Sequence, residues 1–309
     1  MESGSNATHV IDPDGNVMII LQNANKPFAA SSEESNPPKK CKTSQNQEFR
    51  ILVSASHLTF VSPEGLTLCT AGSVNITADG WDLEAFLILL RICHCKHHQV
   101  PRTLSLELLA KITVLVDYYE CFDVLRFFAD TWISCLEQDF PTQYSRDLLL
   151  WVWISWALKL PALFQQATGV VINQATDSVT ALGLPIPQKI IDNINRKRES
   201  IFQYTFATLD NLQKSLIDGR KGCSPGCRSI MLGTLMIQRR SNGLLTSDGT
   251  APLAGLKAGD LVTKVGKLSP PAWHPGHNYF SKCHEGILSS MTSELKLSLR
   301  GLDLQYQTT

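Results

Sequence analysis

Residues 75–137 read NITADGWDLEAFLILLRICHCKHHQVPRTLSLELLAKITVLVDYYECFDVLRFFADTWISCLE, and the breaks in this stretch decide the fold. It opens as a short strand and continues as three helices. Asp79 or Asp82 is placed to cap the first helix, and Ala85, Phe86, Leu89, Leu90 and Cys93 then recur at helical spacing. Pro101 closes the connection, because the residue before a proline is pushed out of the helical region. Ser105 is the natural cap of the second helix, whose Leu108, Leu109, Ile112, Leu115 and Val116 form one apolar stripe. In the third, Phe122, Leu125, Phe128, Ala129 and Trp132 share a side, while Asp123, Arg126 and Asp130 point toward solvent. The pattern is one of packing and carries no catalytic signature.

The rest of the chain sets the limits. With 309 residues, 43% of them apolar, it can bury a sizeable core and hold more than one domain. Lys plus Arg number 28 and Asp plus Glu 28, so no global field selects nucleic acid or an anionic membrane. The opening MESGSNATHV has no apolar core of the kind a secretory signal needs. Nine cysteines, an odd number spread along the chain, are then expected as reduced thiols in an intracellular setting, cytoplasmic or nuclear. The apolar run 148–164, LLLWVWISWALKLPALF, is shorter than the ~20 residues of a membrane span and contains Lys159 and Pro161. It predicts a buried helix ending at the proline.

Upstream, NVMIILQ (16–22) follows the turn formers Asp12, Pro13, Asp14 and Gly15 and predicts a strand. FRILV (49–53) predicts a second, with 54–61 turning into a short helix. Between them, 29–47 lacks periodicity and is too polar to offset its ordering entropy, which predicts a flexible insertion. Downstream, 144–181 is expected to be helical in two pieces divided at Pro161. A long amphipathic helix is expected over 188–218, with Ile190, Ile194, Ile201, Thr205, Leu209, Leu212 and Leu216 in a near-heptad row and Gly219 as its stop. The block Arg196-Lys197-Arg198-Glu199 reads as a solvated face. From 222 onward Gly and Pro become frequent and apolar runs shorten, which predicts a small, loop-rich unit that is partly β. The fold class is therefore α+β, with segments at 10–137, 138–221 and 222–309.

On FRIL (49–52), Ser62-Pro63-Glu64 and the 75–137 stretch, the chain resembles the BTB/POZ family, specifically the divergent BTB-like proteins common in filamentous fungi. The pieces ITADGWDLEAFLILLRI, HCKHHQVPR and LAKITVLVDYYEC carry that resemblance. It implies the order strand, strand, short helix, strand, three helices over about 10–137, and a non-enzymatic module that binds other proteins, homodimers included. Some members recruit cullin-type ubiquitin ligases as substrate adaptors through an apolar-x-Glu triplet after the middle helix. The corresponding loop, 96–103, contains no such triplet. Gly65 stands near the position of the family's usual aromatic, and the segment before the third strand is short.

Other patterns invite chemistry. Gly222-Cys223-Ser224-Pro225-Gly226 fits the G-x-S-x-G form of a hydrolase elbow. An elbow, however, uses the N–H of the residue after the serine, and Pro225 has none. Cys223 and Cys227 form a C-x3-C pair across an expected Pro-Gly turn, which reads most simply as a turn with buried thiols; His274, His277, Cys283 and His284 lie downstream, and with His277 and Cys283 the pair makes a candidate tetrahedral zinc site. Zinc is the one cofactor the sequence suggests, and it would stabilise a unit with little core. In the run Cys93-His94-Cys95-Lys96-His97-His98 neighbouring residues diverge on a helix and only pairs such as Cys93 with His97 share a face, and a helix C-terminus favours histidine through its dipole. The stretch 253–262, LAGLKAGDLV, is similar to a turn of PDZ domains over that turn alone.

Overall fold

The computed structural model describes residues 7–30, 48–61, 74–245, 255–271 and 287–307. The chain is α+β: a small four-stranded sheet near the N-terminus, then helices. The strands are β1 (His9–Val10), β2 (Val17–Gln22), β3 (Phe49–Val53) and β4 (Val74–Asp79), in the order β1-β3-β2-β4. β2 and β3 pair antiparallel with Val17 opposite Val53, and β4 runs parallel to β2 with Val17 opposite Val74. Val17, Ile19 and Leu21 alternate onto the buried face of β2, as a period of two requires. Gly15 lies so close to β3 that a Cβ there would stand 2.5 Å from the Val53 carbonyl oxygen. No larger residue fits this turn without shifting the strand.

Packing divides the chain into two compact units. One comprises 1–163 and 181–186, the other 164–180 and 187–309. This division cuts across the three segments expected from the sequence, because 138–163 packs with the N-terminal part.

In the first unit, α1 (Ala55–Val61) follows β3, and α2 (Leu83–Cys93), α3 (Leu106–Tyr118), α4 (Phe122–Leu136) and α5 (Arg146–Ala157) follow β4. Asp82, not Asp79, caps α2 by accepting from the Ala85 N–H at 3.1 Å; Asp79 closes β4 instead. Ser105 and Ser145 cap α3 and α5 in the same way. α2 and α5 are buried nearly all round, and α5 lies against α3. There Trp153 is fully buried and its indole N–H donates to the Ala110 carbonyl. The Arg146 guanidinium joins α5 to α3 and to the residues after β2: it donates to the carbonyls of Phe28 (2.8 Å) and Ala29 (3.0 Å) and to Glu107 (2.8 Å). Glu107 also holds Lys111, which reaches Asp82 on its other side. These two cations keep the Glu107 carboxyl below its ordinary range, the Lys111 hydrogen bond contributing most. Of the insertion expected at 29–47, Ala29 is buried and anchored by Arg146; residues 31–47 lie outside the described residues. So does 62–73, where the departure from the family pattern falls.

α6 (Pro161–Gln174) starts at the proline expected to divide two helices and ends seven residues short of the expected 181. The second unit takes most of α6, then α7 (Gln188–Ile217), α8 (Pro225–Ser241), α9 (Ala258–Gly266) and α10 (Ile287–Ser298). All seven residues of the near-heptad row in α7 are buried, and Gly219, at φ +75°, follows its end. Arg198 corrects the reading of its block as a solvated face. It is 6% exposed and donates to the carbonyls of Asp177 and Ala175. The β content expected beyond 222 is also corrected: every element longer than a single 3-10 turn among the described residues there is an α-helix. The residues of the PDZ-like turn that are described, 255–262, run into α9.

Candidate interaction surface

Ser224 of the G-x-S-x-G pattern is the N-cap of α8. Its hydroxyl accepts from the Cys227 N–H at 3.1 Å, and Pro225 takes the first helical position, where a missing N–H costs nothing. The Pro-Gly turn expected between Cys223 and Cys227 is therefore the first turn of a helix. Cys223 is exposed, while Cys227 is buried with its sulfur 3.8 Å from that of Met231. His277 and Cys283, the other two residues of the candidate zinc set, lie outside the described residues.

The Cys93–His98 run disperses. Cys93 ends α2 and His94 caps it; Cys95 adopts φ +56°, and the Lys96 N–H returns to the Arg91 carbonyl at 2.9 Å. Cys93 is buried near Cys121, and burial pushes the two thiols up to about 12 and about 11, so neither is a thiolate at neutral pH. The dipole explanation fails for His94. Its Nε2 accepts from the Ser54 N–H at 3.0 Å, which leaves Nδ1 as the protonated nitrogen donating to the Leu90 carbonyl at 2.8 Å. Burial moves this imidazole below its ordinary range, and His57 stacks on it with ring centres 4.9 Å apart. It is a neutral structural bridge between the end of β3 and α2.

What the first unit does present is aromatic. From Phe86 in the core, rings run outward through Tyr119 to Trp81 and Tyr118, the latter two 5.0 Å apart edge to face. Tyr118 ends α3 and is 63% exposed. The chain turns sharply after it, with Glu120 at φ +51° and the Cys121 N–H donating to the Val116 carbonyl. A second run starts at Trp132, which is fully buried and donates its indole N–H to the Pro101 carbonyl at 2.9 Å. It continues through Phe128, against which His97 stands edge-on, to Phe127, 79% exposed. Each run is fixed at its buried end and open at the other.

The electrostatics are one-sided. Residues 117–139 contain Asp117, Glu120, Asp123, Asp130, Glu137 and Asp139 against a single cation, Arg126. Among the described residues none of these six forms a salt bridge. Asp117 is moved above its ordinary range, first by burial and then by Glu120. On the outer face of α4, Asp123, Phe127, Asp130 and Ser134 follow one another at helical spacing, so the exposed Phe127 ring stands between two carboxylates. The sequence pattern put Phe128 and Trp132 on the packed side but did not single out Phe127 or Tyr118. The available signal was the wheel position of Phe127, shared with Asp123 and Asp130.

No helix among the described residues is long and apolar enough to cross a membrane. No family model and no curated protein matches this chain.

Proposed function

We propose that the first unit is a BTB/POZ-like protein–protein interaction module and that the chain acts by binding proteins, not by catalysis, in an intracellular compartment, cytoplasmic or nuclear. The observation that carries this reading is the pair of aromatic runs, anchored by Phe86 and Trp132 and exposed at Tyr118 and Phe127. Rigid aromatics of this kind give large contact area at low entropic cost and are over-represented at binding hot spots. The order of elements supports the family reading: two paired strands, a short helix, a strand parallel to the first of the pair, then helices. The carboxylates around Phe127, which form no salt bridge among the described residues, favour a partner surface that offers both an apolar pocket and basic side chains.

Self-association is tested by light scattering on the full chain across a hundredfold concentration range, with Tyr118→Glu and Phe127→Glu alongside. A mass that rises toward twice the 34.2 kDa of one chain, and that either substitution returns to one chain, is the expected result for a homodimer through this surface. A constant single-chain mass removes self-association from the proposal. The full chain is required because α5 belongs to the core of the first unit, and a fragment ending near 137 would lose it.

A further inference from the structure

We infer that the second unit holds a binding pocket for a monoanionic amphiphile: an apolar body with one carboxylate or similar head. Among the described residues, α7, α8, the segment after α9 and α10 line a half-open cavity of about 410 Å³. Close-packed interiors leave few voids larger than a water molecule, and small-molecule pockets begin at roughly 300 Å³. The cavity's apolar wall is built from Leu212 and Leu216 of α7, Leu235 of α8, Leu268 after α9, and Leu288 of α10, and serine and threonine side chains make up much of the remaining lining. Pro270 and Pro271 add rings and no N–H donors.

Three of the polar side chains in these walls are engaged within the walls themselves. The Gln238 amide donates to the Ser269 carbonyl (3.1 Å) and hydroxyl (3.2 Å) and accepts from the Ser269 N–H (2.8 Å), fixing α8 to the far wall. The Thr292 hydroxyl donates to the Leu288 carbonyl at 2.7 Å. Among the described residues Lys296, on α10, is the single charged residue of the lining, no carboxylate joins it there, and it forms no salt bridge. A pre-formed cavity with a leucine-rich wall and one ammonium selects a ligand by hydrophobic fit and one negative charge.

The probe is the fluorescent polyene fatty acid parinaric acid, titrated into the full chain beside its methyl ester. The acid is expected to bind saturably. Lys296→Met should weaken the acid by about fivefold and leave the ester unchanged, the size of one partly exposed ion pair. Thr292→Trp, which fills the cavity, should abolish binding of both. Ser293→Trp, on the exposed face of α10, repeats that test if the first variant melts early. Absence of saturable binding, full binding to a folded cavity-filled variant, or equal weakening of acid and ester by Lys296→Met would each overturn the inference.

Discussion

Replacing Gly301 by alanine is predicted to loosen the C-terminal segment of the second unit. A Cβ at this position would stand 1.7 Å from the Gln165 carbonyl oxygen and 2.6 Å from both its carbon and the Thr168 hydroxyl. These are main-chain atoms of α6 and a buried side chain, none of which can swing away. The close approach is used: the Leu302 N–H donates to the Thr168 hydroxyl at 2.8 Å, and that hydroxyl donates to the Phe164 carbonyl at 2.7 Å. Just before it in the chain, Asn173 holds the Leu299 carbonyl and Lys197 the Arg300 carbonyl. Overpacking costs about 1–3 kcal/mol, and each buried hydrogen bond lost adds about 1 kcal/mol. The expected loss is therefore about 2–4 kcal/mol, or roughly 7–14 °C in Tm for a unit of this size. Urea and thermal unfolding measure it, and amide exchange at Arg300 and Leu302 shows whether the segment lifts off α6. A variant within about 0.5 kcal/mol of the parent, with Leu302 still protected, would refute the reasoning.

Gly233, in the middle of α8 with nothing within 4 Å of its would-be Cβ, is the converse case. Gly233→Ala is expected to stabilise by about 0.8–1 kcal/mol, read from the same unfolding curves. His94 is held neutral, with its folded pKa below its ordinary 6.5, so between the two values the unfolded chain binds more protons and stability rises with pH. Its contribution is full above pH 6.5 and is lost as pH falls through that window. Unfolding of the parent measured from pH 7 to pH 5, above the ordinary range of Glu107, should show that loss, and His94→Gln should flatten it. Arg146→Lys keeps the charge but cannot serve the Phe28 and Ala29 carbonyls and Glu107 together. It is expected to cost about 1–2 kcal/mol and to raise amide exchange around residues 25–29.

Much of this was legible in the sequence because the signals were local. Ser105 as a cap, Pro161 as a helix boundary and Gly219 as a stop each rest on one residue type in one backbone role, and the Ile190–Leu216 row rests on side-chain period alone. The α+β layout followed from the change of period between 16–53 and 83–157. The errors came where tertiary contacts decide. Gly and Pro after 222 suggested loops and strands, yet Ser224-Pro225 is a helix start, and its resemblance to a hydrolase motif hid that role. Arg198 was assigned to solvent with its neighbours, although two main-chain carbonyls of the preceding segment, those of Ala175 and Asp177, draw it inward. His94 was given a dipole role because its partner, the Ser54 N–H, is forty residues away in sequence. The candidate surface was least legible of all. Exposure at Tyr118 and Phe127 depends on what does not cover them, and no local pattern states that.

The central claim is that Tyr118 and Phe127 are points of protein contact. The most direct measurement is quantitative affinity capture with the full chain as bait, wild type against a folded Tyr118→Glu/Phe127→Glu double variant, followed by reconstitution with the purified captured protein. Saturable binding to the wild-type chain is expected, weakened by at least about tenfold, 1.4 kcal/mol or more, in the double variant. A purified partner that binds both chains equally would contradict it.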